Sequence, residues 1–82
     1  MVTVAFEPFF KKRIKKIKDA SLKFKIKKQI LKIIKYPEIG KPMRYVRKNT
    51  REVYIIPFRL SYLYIKKENK IVFLDLYHKD EQ

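Results

Sequence analysis

Residues 58–77 read FRLSYLYIKKENKIVFLDLY, and the period of that stretch decides the fold. Phe58, Leu60, Tyr62 and Tyr64 fall on one side of an extended strand, and Arg59, Ser61, Leu63 and Ile65 on the other. Lys67-Glu68-Asn69-Lys70 reads as a turn, and Ile71 to Tyr77 as a further strand. Its expected apolar face is Val72, Leu74 and Leu76, with Asp75 opposite beside Ile71, Phe73 and Tyr77. Just upstream, Glu52 to Ile56 forms a strand. Pro57 cannot donate a ladder hydrogen bond, so it belongs at a bend or an edge. Asn49-Thr50 is a turn signal, Met43 to Val46 a short extended segment, and Glu38 to Pro42 a loop with Gly40 expected in the left-handed region.

The first half has a different period. Val2 to Phe6 is a short β-rich strand, and Pro8 suits the first turn of a helix. Phe10, Ile14 and Ile17 recur at helical spacing, which predicts an amphipathic helix over about residues 8–18. Ser21 is the expected N-cap of a second helix. Leu22, Ile26, Ile30, Ile33 and Ile34 form its stripe, widened by Phe24 and Leu31 as if buried on more than one side. Tyr36-Pro37 ends it. The order is β-α-α-β-β-β, an α+β fold. An N-terminal strand and an antiparallel helix hairpin pack on one face of a mainly antiparallel four-stranded sheet, leaving the other face open. Residues 1–82 read as one domain.

Composition excludes several classes. The 82 residues carry 22 Lys+Arg against 8 Asp+Glu, a net charge of +14, so the expected partners are polyanions or acidic proteins. With no Cys, a disulfide scaffold and cysteine-ligated metal sites are ruled out, and one His argues against any other metal site. A single Gly cannot build a phosphate-cradling loop, and no cofactor is expected. No apolar run is long enough to span a membrane, and the N-terminus lacks a secretion pattern, so a cytoplasmic location is expected.

No carboxylate pair with credible acid–base geometry stands out. The available chemistry is basic and phenolic: Arg44, Arg47, Lys48, Arg51, Arg59, His78 and Lys79, with Tyr54, Tyr62, Tyr64 and Tyr77. Such a set suits RNA, whose 2′-hydroxyl is an internal nucleophile beside the scissile phosphate. Arg59, the lone charge in its strand, is expected to face a groove.

The segments ILKIIKYPEIGKPM (Ile30–Met43), FRLSYLYI (Phe58–Ile65) and IVFLDLYHK (Ile71–Lys79), with Val4-Ala5-Phe6, Phe9 and Phe10, resemble the RelE/ParE toxin superfamily, and an archaeal RelE-type toxin above all. The resemblance spans nearly the whole chain. It implies a ribosome-dependent mRNA endoribonuclease that inhibits translation by 2′-hydroxyl attack on the adjacent phosphate. An acidic RelB-like antitoxin would neutralise it. Arg59 matches the family's phosphate-contacting arginine, Lys79 its terminal basic residue, and His78 adjoins that position. Arg44, Arg47, Lys48 and Arg51 are the expected RNA contacts. Two lysines that the family carries on the preceding strand are replaced here, and the family's C-terminal tyrosine has no counterpart. The same resemblance admits a topoisomerase-inhibiting toxin, and the charge alone admits a non-catalytic RNA- or ribosome-binding module.

Overall fold

The computed structural model describes residues 2–43 and 49–78. Strand β1 (Thr3–Phe6) leads into helix α1 (Pro8–Lys16) and helix α2 (Ala20–Lys35). Strands β2 (Lys41–Pro42), β3 (Thr50–Ile55), β4 (Phe58–Ile65) and β5 (Lys70–His78) follow, with a short 3-10 turn over Lys66–Glu68. The sheet order is β1-β5-β4-β3-β2. β1 runs parallel to β5, and every other pairing is antiparallel. The sheet thus has five strands rather than the expected four. The addition is the two-residue β2, whose Pro42 is tolerated because it lies on the edge. Of the expected extended segment Met43–Val46, residues 44–46 lie outside the described residues.

α1 begins with Pro8 at its first turn and stops at Lys16, two residues short of the expectation. Ile17 is already extended, because the three-residue link must bring Asp19 into capping geometry. Asp19, not Ser21, caps α2. Its Oδ1 accepts hydrogen bonds from the backbone N–H groups of Ser21 (2.9 Å) and Leu22 (3.3 Å). A carboxylate there also meets the positive end of the helix dipole, an advantage that a serine hydroxyl lacks.

The core forms between the helices and one sheet face. Ile26 and Ile33 of α2 and Phe10 of α1 are buried against Leu60, Tyr62, Ile71, Phe73 and Leu76. The rings of Phe6, Phe10 and Phe73 stack with centroids 5.1–6.0 Å apart. Phe24 and Leu31 stay outside this core, 63% and 57% exposed, so the α2 stripe is narrower than the sequence implied.

β5 reverses the expected assignment of its faces before the bulge and keeps it after, at Asp75, Leu76 and Tyr77. A β-bulge between Ser61 and Tyr62 lets Ser61 pair with Asp75 and Tyr62 with Phe73, leaving Leu74 as the extra residue. The phase therefore slips by one. Ile71, Phe73 and Leu76 all face the helices, while Asp75 and Tyr77 turn to the open face.

Gly40 is not in the left-handed region; among the described residues, positive φ falls on Asn49 and Asn69. Gly40 is needed for close approach instead. A Cβ there would sit 2.6 Å from the Tyr62 hydroxyl oxygen. That hydroxyl accepts from the Gly40 N–H (2.9 Å) and donates to the Pro37 carbonyl (2.7 Å), fixing the loop after α2 to the middle of the sheet.

Candidate functional site

Cross-strand neighbours share a face, so the register defines what stands on the open side. One row is Tyr54, Arg59 and Tyr77; the next is Glu52, Ser61 and Asp75. The rows touch through side chains. Arg59 Nη1 lies 3.5 Å from Glu52 Oε1, and the Tyr77 hydroxyl donates to Glu52 Oε2. The Arg59 guanidinium also stands 4.9 Å from the centroid of the Tyr54 ring, in cation–π geometry. Its Nε is buried without a hydrogen-bond partner. The Arg59 and Glu52 side chains are 20% and 9% exposed, so the pair is partly withdrawn from water. Farther along the face, Arg13 of α1 reaches Asp75 at 3.5 Å and covers the Phe9 ring at 4.9 Å.

Arg59 was expected to face a groove. It stands on the uncovered face, yet a carboxylate and a phenol ring hold it. Arg51 lies on the helix side, in phase with Val53 and Ile55 and paired in register with Tyr62 of β4. Its Nη1 donates to the carbonyls of Glu38 (2.9 Å) and Gly40 (2.7 Å), a brace for the loop. His78 pairs with Phe58 and packs edge-on against that ring at 5.5 Å, on the face opposite Arg59. Arg44, Arg47, Lys48 and Lys79 lie outside the described residues.

Glu52 is the residue that sequence reasoning overlooked. A signal existed: it is the one acidic residue in β3 of a strongly basic chain, and it shares a strand phase with Tyr54. Tyr77 was among the phenols singled out in the sequence, but its partner Glu52 was not. Together these groups supply a cation for phosphate charge and a carboxylate able to accept a proton, held by a phenol.

A sequence model described as "ParE toxin of type II toxin-antitoxin system, parDE" matches residues 4–82. The chain belongs to the ParE toxin family. No curated protein matches the sequence. Solved structures share the fold of this ParE-family chain at low identity. A chain of the intact E. coli RelBE toxin–antitoxin complex aligns over 100% of both chains with a TM-score of 0.81 and 15% identity. The isolated E. coli RelE toxin aligns over 100% of this chain and 88% of its own, at 0.82 and 13%. The archaeal RelE–RelB complex from Pyrococcus horikoshii aligns over 99% and 98%, at 0.77 and 11%. The toxin fold expected from the sequence is thus the fold observed, and the chain is a toxin of the toxin–antitoxin class. Among the described residues, no helix is long and apolar enough to cross a membrane.

Proposed function

We propose that this toxin arrests translation in the cytoplasm by cleaving mRNA on the ribosome, without metal. The observation that carries the proposal is the Arg59–Glu52–Tyr77 cluster on the uncovered sheet face. Glu52 takes the proton of an RNA 2′-hydroxyl as its oxygen attacks the adjacent phosphorus. Arg59 stabilises the charge that builds on the phosphorane oxygens. A guanidinium has five N–H donors, so it can keep Glu52 and bind a phosphate oxygen as well. Tyr77 holds the carboxylate in place. The bond to the 5′-oxygen then breaks, and Lys79, following His78 at the end of β5, is the proposed proton source for that leaving oxygen. Arg44, Arg47 and Lys48 remain the proposed RNA contacts, and Arg51 supports them by bracing the loop before them.

The charge supports the rest of the assignment. A net +14 is carried by a body whose radius of gyration is 12.1 Å, a density that favours both a ribosomal RNA surface and an acidic antitoxin. The solved RelB complexes of the fold make a RelB-like antitoxin the proposed protein partner.

Purified toxin added to programmed ribosomes is expected to cut mRNA in the A site and leave a 2′,3′-cyclic phosphate. Arg59→Ala and Glu52→Gln are each expected to lower the rate by about 100-fold or more. Intact mRNA after incubation with excess wild-type protein would refute the nuclease. A second reading is a topoisomerase inhibitor of the same fold. The observation favouring it is that Glu52 already neutralises Arg59. It predicts inhibition of DNA supercoiling by wild-type protein with mRNA left uncut.

A further inference from the structure

The open face carries a concavity that the cleavage chemistry leaves unused. It encloses about 570 Å³ and lies between the start of α1 and the sheet. Glu7 and Phe9 form one wall; Ser61, Leu74, Tyr77 and Thr50 form the floor. The volume falls in the range of about 300–1,000 Å³ usual for small-ligand sites. Tyr77 belongs to both places: it lines the concavity and holds Glu52.

We propose that this concavity binds the nucleobase of the nucleotide whose 2′-hydroxyl is attacked, with a preference for guanine. The proposal rests on the cleavage reading above, because it ties the base to the hydroxyl that Glu52 deprotonates. A nucleotide presenting its 2′-hydroxyl to Glu52 must place its own base close by, and the concavity beginning at Tyr77 is that space. Phe9 provides the stacking surface. It is 53% exposed, and the Arg13 guanidinium, itself paired with Asp75, stands 4.9 Å from its ring centroid. An exposed aromatic ring offers a base a platform on which to stack. Glu7 provides discrimination. It occupies the N-cap position of α1 yet makes no capping hydrogen bond with its side chain. An ionised carboxylate only accepts. Guanine presents two adjacent donors on its Watson–Crick edge, whereas adenine, cytosine and uracil present one donor group each.

The test is titration of isotopically labelled toxin with the four ribonucleoside 3′-monophosphates and with inorganic phosphate, followed by amide chemical shifts. All five probes share the phosphate, so differences isolate the base. Guanosine 3′-monophosphate is expected to shift Ser61, Leu74 and Tyr77 and to bind about tenfold more tightly than the adenosine analogue. Phe9→Ala is expected to weaken the nucleotides by about tenfold, the scale of one lost base–aromatic stack, with no effect on inorganic phosphate. Phe9→Leu serves as the second variant, retaining bulk without a ring. Glu7→Gln is expected to erase the guanine preference while leaving uridine 3′-monophosphate unchanged. Equal affinity for all five probes, or shifts confined to other surfaces, would overturn the base site. The two proposals fail separately. Guanine-selective binding by a protein that leaves ribosomal mRNA intact removes the nuclease and keeps the base site. Cleavage indifferent to Phe9→Ala and Glu7→Gln keeps the nuclease and removes the base site.

Discussion

On its helix-covered side β4 buries Leu60 and Tyr62 completely, and their neighbours Ile71 and Phe73 on β5 are buried with them. On its other side the same strand holds Arg59 and Ser61, facing Glu52, Tyr54, Asp75 and Tyr77. On the covered side the buried Tyr62 hydroxyl makes two hydrogen bonds, and its buried neighbours Leu60, Ile71 and Phe73 are apolar. The open side keeps a cation and a carboxylate in contact at low exposure, an arrangement that contributes little to stability for the desolvation it costs. One face is therefore organised for cohesion and the other carries the proposed chemistry, and substitutions on the two should fail in different ways.

The largest expected effect lies on the covered face. Phe73 is the centre of the stack with Phe6 and Phe10 and also touches the Tyr62 ring, at 6.1 Å between centroids. Phe73→Ala is expected to cost about 3–5 kcal/mol. Small domains commonly have about 5–15 kcal/mol in total, so the variant should unfold at much lower urea or temperature. Unfolding close to wild type would mean that the aromatic stack is not the core of this fold. On the open face, Glu52→Gln keeps the size of the side chain and removes the proton acceptor. Cleavage is expected to fall by about 100-fold or more while cooperative unfolding persists. A variant that cleaves at the wild-type rate would take Glu52 out of the chemistry, and one that loses its cooperative transition would make the carboxylate a structural group.

Tyr62→Phe separates cohesion from chemistry at a finer scale. Removing the hydroxyl leaves the Gly40 N–H and the Pro37 carbonyl without their partner, at a cost of about 1–3 kcal/mol. Burial also pushes the phenol above its ordinary value of 10.0, and this outweighs the Gly40 hydrogen bond and Arg51, which favour the anion. In the unfolded chain the phenol loses its proton first. The stability that the neutral phenol contributes is therefore full below pH 10 and is lost as pH rises through 10 toward the folded value. Chemical unfolding at a series of pH values should show the gap between wild type and Tyr62→Phe narrowing above pH 10. A gap constant to pH 11 would contradict the burial of that hydroxyl.

Both faces were partly legible in the sequence, for different reasons. Alternation in Phe58–Ile65 and helical spacing in residues 22–34 report burial directly, so the layers and the mainly antiparallel sheet could be read, and the cost of burying a guanidinium put Arg59 on the uncovered side. The bulge could not. It adds no distinctive residue, yet it buries Ile71 and Phe73 in place of Val72 and Leu74, while Asp75, Leu76 and Tyr77 keep the faces that alternation gave them. The place of Arg51 was hidden for a related reason. Arg51 and Arg59 are eight positions apart across a tight hairpin, and only the pairing register shows that they occupy opposite faces. Glu52 was overlooked because charge counting treats a lone acid in a basic chain as compensation, whereas position makes it the partner of Arg59.

The smallest expected effect concerns neither face but the link that sets the helices over the covered one. Asp19 and Ser21 both have side chains suited to an N-cap, and they differ in where the chain turns. Asp19 has extended dihedrals (φ −72°, ψ 111°) and accepts from two backbone N–H groups; Ser21 lies one residue inside the helix. Asp19→Ala is expected to destabilise the protein by about 1 kcal/mol, and Asp19→Asn by less, because the amide oxygen can still accept. Ser21→Ala should have almost no effect. Equal losses from Asp19→Ala and Ser21→Ala in urea unfolding would move the start of α2 and, with it, the register in which Ile26 and Ile33 meet the sheet.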